Sequence, residues 1–301
     1  MKKVGAIMKH LKHKFTIVLA GIMVLFFTSC NKIYKEPDDT GTVSFGELAS
    51  RSDTDDLDNI LTSEGEKTPA DLFLEEHFPS NGAMQLLNFR APVEGEEIAV
   101  IKTSMGDIKV MLFPEIAPKA VENFKALIRN GYYNTTGRGQ MLFHRVKKDF
   151  VIQSGDPTGT GAGGQSSFGT PFEDEFSEQA LHFRGALSMA NSGANTNQSQ
   201  FFIVQASAST ITQESWEIFR LQETVQKAFP ETIMQKYQEV GGAPWLDFSH
   251  TVFGQVIEGL DVVDAIAAVP VSDDKFNKPL EDVIIQSMFL ESYSIPVQTT
   301  E

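Results

Sequence analysis

Ser188-Met189-Ala190-Asn191-Ser192-Gly193-Ala194-Asn195-Thr196-Asn197-Gln198-Ser199-Gln200-Phe201-Phe202 is small and polar for most of its length, then abruptly aromatic. Phe201 to Val204 carries it into a strand-like apolar run. Two further stretches stand out. Phe143 to Asp156 sets an arginine (Arg145), an aromatic (Phe150) and a glutamine (Gln153) inside an apolar run. Trp245-Leu246-Asp247-Phe248-Ser249-His250 puts a tryptophan and a histidine just before a strand expected over Thr251 to Ile257.

Outward from these, Ile98 to Thr103 and Ile108 to Phe113 read as strands around the turn Ser104-Met105-Gly106-Asp107. Pro118 opens a helix with the stripe Val121, Phe124, Leu127 and Ile128, and Gly131 sits where a C-cap glycine belongs. A second helix is expected over Gly259 to Ala267, and a last strand over Val283 to Leu290. Residues 206–242 interrupt the pattern as a helical loop insertion. Thr210 to Gln213 reads as a capping box and Ile218, Leu221, Val225 and Phe229 as a stripe. Pro230 ends that helix, Ile233, Met234 and Tyr237 predict another, and Gly241-Gly242 stops it. Short strands, glycine turns and few helices predict a mainly β fold, a closed barrel with helices over its ends.

Composition narrows the function. The chain has 301 residues, 41% of them apolar, which excludes a wholly disordered protein. Its 25 basic and 40 acidic residues give −15, a surface that repels nucleic acid. The single cysteine, Cys30, excludes an internal disulfide and a cysteine-based metal site.

The N-terminus reads as an address. Five lysines and no acid occupy residues 1–14, and Phe15 to Phe27 is an uncharged run of 13 residues. That run is too short for a spanning helix, which needs about 20 residues, but suits a signal peptide over 1–29. Phe27-Thr28-Ser29-Cys30 resembles a bacterial lipobox, with phenylalanine where leucine is commoner. Cys30 is therefore the expected lipidation site. Cleavage there leaves 20 basic and 40 acidic residues. Asn31 is not the aspartate that retains lipoproteins in the inner membrane. The expected location is the bacterial cell envelope, lipid-anchored, with the outer membrane favoured. Residues 30–96 hold 15 acids and five bases and read as an acidic tether. It is partly ordered near 68–90, where Leu86, Leu87 and Phe89 are apolar enough to dock on the main domain. A domain over 97–292 and a tail over 293–301 complete the division.

Several familiar chemistries fail. Gly159 to Gly164 can be read as G-x-G-x-x-G, but Asp156-Pro157 precedes it where a dinucleotide site needs a buried strand, and no helix follows. His77, His144, His182 and His250 lack metal-ligand spacing. No G-x-S-x-G occurs, and Glu173-Asp174-Glu175 reads as a solvated turn.

The three opening stretches resemble the cyclophilin family of peptidyl-prolyl isomerases. Phe143-His144-Arg145, Gln153 to Asp156, Ser188 to Asn191, Asn195 to Asn197, Ser199 to Phe202, Trp245 to Asp247 and Val252 to Gly254 fall in the family's order. The resemblance implies a closed eight-stranded antiparallel barrel capped by two helices. It implies Arg145 as catalytic arginine, supported by Gln153, Phe202 and His250. Phe150, Val151, Phe202 and Leu246 would form the proline pocket, with His250 at its rim. Asn191 and Gln200, with Gln153, would bind peptide backbone; Gly161, Ala190 and Ser192 would line the neighbouring groove; Trp245 would contact ligand. His182 and His77 receive no role. Departures are Val151 for methionine, Ser192 for alanine, Ser154 for glycine and Lys147-Lys148-Asp149 for Ile-Pro-Gly.

The reaction suits these residue types. Twisting an X-Pro amide costs about 18–20 kcal/mol of conjugation, and no bond is made or broken. It needs no nucleophile, base, metal or cofactor, only a dry pocket and a fixed donor. The expected partners are proline-containing polypeptides and, through the lipid, a membrane; the protein is expected to be monomeric. The alternative reading is a chaperone or scaffold that holds proline segments with little turnover.

Overall fold

The computed structural model describes Glu76 and residues 85–134, 139–216, 229–274 and 276–296. The signal segment, Cys30, the stretch upstream of Gln85 apart from Glu76, and the stripe residues Ile218, Leu221 and Val225 lie outside the described residues.

Among the described residues nine strands form one antiparallel sheet. They are β1 (Glu97–Thr103), β2 (Gly106–Leu112), β3 (Met141–Leu142), β4 (Arg145–Lys147), β5 (Val151–Ser154), β6 (Ala186–Met189), β7 (Phe201–Val204), β8 (Val252–Glu258) and β9 (Ile284–Ser292). Their spatial order is β3-β9-β1-β2-β8-β6-β7-β5-β4. The closed eight-stranded barrel is thus corrected to a nine-stranded half-barrel. The extra strand arises at Phe143-His144, where the chain changes partners: β3 pairs with β9, and β4 pairs with β5. Phe143 and Val146 donate to the carbonyls of Val283 and Asn277, and among the described residues no ladder joins the two sheet ends.

The α1 helix (Pro118–Arg129) and the α3 helix (Leu260–Ala267) pack on the sheet. Phe124 of α1 meets Phe201 and Phe253 edge-on at 5.6 and 5.1 Å. The first turn of α1 follows Ala117, which has no side chain to cap it. Glu175 supplies the missing acceptors, taking the N–H groups of Lys119 and Ala120 at 3.1 and 3.0 Å. Asp174 likewise accepts from Asn195 and Asn197 at 2.7 and 2.8 Å. Of the solvated turn expected at 173–175, Glu173 is exposed, whereas the half-buried Asp174 and Glu175 act as a structural clamp.

The register of four strands separates core from site. Val146, Ile152, Ile203 and Leu187 face one another across β4, β5, β7 and β6, and all four are buried in the principal core. Their neighbours Arg145, Gln153, Phe202 and Ser188 form the adjacent row. Successive side chains in a strand point to opposite faces, so this row lies on the other face. A second apolar cluster covers it, including Phe113, Phe150, Val151, Phe202, Val204 and Leu246.

The insertion builds a third cluster. The α2 helix (Glu231–Val240) buries Ile233, Met234 and Tyr237 against Leu181, Phe183, Ile211 and Trp216. Gly241 ends it at φ +87°, where an added Cβ would lie 2.5 Å from the Ala206 carbonyl. The expected cap at Thr210 shifts by two residues. The Thr210 hydroxyl bonds to the Ser207 carbonyl in a 3-10 turn, and Thr212 accepts the Ser215 N–H at 3.0 Å at the start of a helical stretch. Upstream of the boundary expected at 97, residues 86–96 belong to this packed body. Asn88, in a 3-10 turn (Leu87–Phe89), is buried and donates to the Leu181 carbonyl and Gln255 Oε1 at 3.1 and 2.8 Å. It also accepts the Leu181 N–H at 3.0 Å.

Candidate active site

Arg145 stands at the edge of the sheet, where β4 has β5 on one side. Its side chain is half-buried. The guanidinium carbon lies 5.7 Å from the centre of the Phe150 ring, and Nη1 donates to Gln153 Oε1 at 3.4 Å. Burial pushes the guanidinium's pKa down, yet arginine keeps its proton in any protein. The result is a fixed cation against an aromatic wall.

Gln153 is held in turn. Its Nε2 donates to Gln200 Oε1 at 3.0 Å, and Gln200 Nε2 donates to the carbonyls of Gly161 and Gly163 at 3.0 and 2.6 Å. These carbonyls belong to a loop organised by Asp156. The fully buried carboxylate accepts from the N–H groups of Thr158, Thr160, Gly161 and Gly163 and from both threonine hydroxyls. The donors that a glycine loop would offer to a phosphate thus converge on the chain's own aspartate. Burial opposes the charge of Asp156, but these bonds outweigh it and hold its pKa down. The line Asp156–loop–Gln200–Gln153–Arg145 is continuous.

The apolar side of the site is one cluster. Phe150, Val151, Phe202 and Leu246 are 2–9% exposed and pack together. Trp245, in the 3-10 turn Pro244–Leu246, stacks on Phe150 with ring centres 6.0 Å apart and planes at 26°. His250 meets Phe202 edge-on at 5.4 Å, and its Nδ1 bonds to the Met189 carbonyl at 3.1 Å. Ala190, next to that carbonyl, packs on the cluster and donates its N–H to the Gln200 carbonyl at 2.9 Å. Asn191 donates to the Ser249 carbonyl at 3.1 Å, tying the polar stretch to the histidine loop. Ser192 is exposed, and its N–H donates to Thr196 Oγ1. The register row therefore gathers Arg145, Gln153 and Phe202, β5 adds Val151 and loops bring in most of the rest; Ser192 is exposed to solvent on the polar stretch.

The departures have local accounts. Asp149 has φ +58°, the left-handed region where a glycine is at ease, and its N–H donates to Gln205 Oε1 at 2.7 Å. Ser154 is fully buried, and its hydroxyl donates to the Leu142 carbonyl at 2.7 Å. Lys147 places its ammonium 5.7 Å from the Phe150 ring; burial and then Arg145 lower its pKa.

Sequence reasoning missed His182. Its ring lies flat on Phe202, with centres 5.8 Å apart and planes at 17°. No local pattern marks it, because one partner, Asp247 Oδ1 at 2.7 Å, lies 65 positions on, and the other, Ser188 Oγ at 2.9 Å, is six residues away across a turn.

The comparisons with known proteins agree with this geometry. Residues 98–289 match the family described as "Cyclophilin type peptidyl-prolyl cis-trans isomerase/CLD". A Staphylococcus saprophyticus protein named "Putative peptidyl-prolyl cis-trans isomerase" is 49% identical over 197 residues, 65% of this chain and 93% of that protein. A Staphylococcus aureus protein of the same name is 48% identical over 198 residues, 66% of this chain and 93% of its own length. The crystal structure of a Cryptosporidium parvum cyclophilin type peptidyl-prolyl cis-trans isomerase has a TM-score of 0.50 at 33% identity, covering 66% of this chain and 99% of that one. A sheet with Arg145, Gln153 and Phe202 in one row, and a match over residues 98–289, place this chain in the cyclophilin-type peptidyl-prolyl cis-trans isomerase family.

Proposed function

We propose that the isomerase works through Arg145 beside an apolar proline pocket formed by Phe150, Val151, Phe202 and Leu246, with His250 at the rim. The observation that carries this reading is the shared register row. It fixes a permanent cation and an aromatic floor on one face of one sheet. The planar X-Pro amide is conjugated, and twisting it breaks the conjugation at a cost of about 18–20 kcal/mol. A pocket that excludes water favours the less dipolar twisted amide. A donor that bonds better to the twisted amide than to the planar one lowers the barrier by differential binding. Gln153 orients the guanidinium, while Asn191 and Gln200 bind substrate backbone and Gly161, Ala190, Ser192 and Trp245 line the groove.

The substrates on this reading are proline-containing segments of exported or envelope proteins. The support is in the sequence: a signal-like leader, a lipobox ending at Cys30 and an acidic stretch between anchor and domain. A chaperone reading draws nothing from α2, whose apolar side chains Ile233, Met234 and Tyr237 are buried in the protein itself.

Replacing Arg145 by alanine tests the mechanism. Circular dichroism is expected to be unchanged, and kcat/KM for a proline tetrapeptide is expected to fall by roughly 10²–10³, the scale for losing one transition-state donor. Unchanged turnover would discard the arginine.

A further inference from the structure

The insertion sends one side chain to the back of the candidate pocket. Tyr237 of α2 is fully buried, and its hydroxyl donates to Asp247 Oδ2 at 2.6 Å. The other oxygen, Oδ1, accepts both the backbone N–H and the Nδ1–H of His182, each at 2.7 Å. The far nitrogen of His182 bonds to Ser188 Oγ at 2.9 Å, and that hydroxyl also reaches the Thr251 carbonyl at 2.9 Å. His182, Ser188, Tyr237 and Asp247 are each at most 1% exposed.

This network ends on the site. The imidazole pinned at both nitrogens is the ring stacked flat on Phe202. It also meets His250 edge-on, with centres 6.4 Å apart. Asp247 directly follows Leu246 and shares the turn that carries Trp245. A stacked ring can slide at little cost in area, whereas hydrogen bonds at its two ends fix its plane. The phenol itself is held by stacking on Phe183 at 4.2 Å and by the close approach of Gly242, where an added Cβ would lie 2.7 Å from the Tyr237 ring. Burial, and then the Asp247 carboxylate, raise the phenol's pKa well above its usual range, so it stays a donor.

We propose that Tyr237 is a positioning residue for the isomerisation: through Asp247 and His182 it sets the plane of Phe202 and the placement of His250, so that the insertion is part of the catalytic apparatus and not an appendage. The inference rests on the pocket reading given under Proposed function. Tyr237 touches no substrate on this account. It fixes the floor on which the proline ring sits relative to Arg145.

The test uses the full chain at a temperature where circular dichroism shows complete folding. Tyr237→Phe keeps the ring on Phe183 and removes the hydroxyl. Exchange spectroscopy on a proline tetrapeptide is expected to show kcat reduced about tenfold with KM within about twofold, the pattern of a misplaced rather than a lost contact. The imidazole nitrogen signals of His182 and His250 are expected to move. Asp247→Asn is expected to reproduce the kinetic loss, and the double variant to be no worse than the weaker single, because both break one relay. Wild-type kinetics in a folded Tyr237→Phe protein would overturn the proposal, as would an additive double variant. If neither variant folds, the cluster serves stability alone and the proposal is again overturned. Arg145→Ala run alongside separates the two levels. If it is silent, the pocket reading fails; if it is crippled while Tyr237→Phe is not, only the role of Tyr237 falls.

Discussion

His144, one residue from the proposed catalytic arginine, is 5% exposed, and among the described residues neither ring nitrogen has a hydrogen-bond partner. Burial pushes its pKa down from 6.5 to about 4; Asp156 pulls the other way and Arg145 adds to the lowering. Gln200 also pulls it upward, too weakly to offset burial, because its amide is already engaged by Gln153, Gly161 and Gly163. The folded protein therefore holds His144 neutral over a range in which the unfolded chain binds a proton. Stability is full above pH 6.5 and declines as the pH falls towards 4, by about 3 kcal/mol for a shift of this size. Urea unfolding at several pH values is expected to show this slope, and His144→Gln to flatten it; the same slope in the variant would exonerate the histidine. At this scale the chain announced Arg145, Gln153 and Phe202 well, since short motifs carry them. It announced His182 and Asp247 poorly, since 65 positions separate them and nothing local records the pairing.

Among the elements, β1, β2, β7, β8 and β9 fall within two residues of where alternation and apolar runs predict them. Their neighbours β5 and β6 were invisible to periodicity for a physical reason. They are short and almost wholly buried, and Gln153, Ser154 and Ser188 interrupt the apolar run that marks β7. The 3-10 turn at Leu87–Phe89, within the stretch expected to dock on the main domain, behaves as a buttress of it. Asn88 satisfies three polar partners there, and Phe89 packs on Phe183 at 4.9 Å. Asn88→Ala strands buried groups on Leu181 and Gln255. It is expected to cost about 2 kcal/mol of unfolding free energy, measured by chemical denaturation, with turnover of the folded protein intact. A loss within error would mean that water replaces the amide. For the same reason, a chain begun at Ile98 discards contacts that one begun at Gln85 keeps.

For the whole molecule, the question of closure was not legible. Whether a sheet seals depends on which carbonyls meet the N–H groups around Phe143-His144, and the answer lies with Val283 and Asn277, more than 130 positions away. The envelope assignment is a sequence argument, and its prediction belongs at this scale too. Cys30→Ser is expected to move the protein from the membrane pellet to the soluble fraction while kcat/KM stays unchanged. Retention in the pellet would dismiss the lipid. The alternation across β4 and β5 reaches further than the site. Sliding one strand by a single position would swap Arg145 for Val146 and drive a guanidinium among Ile152, Ile203 and Leu187. An unpaired buried charge costs several kcal/mol, so such a mispaired state is scarcely populated. Competence and correct folding are then inseparable: a sample of this enzyme should contain working molecules and unfolded ones, with no well-packed but inert impostors between.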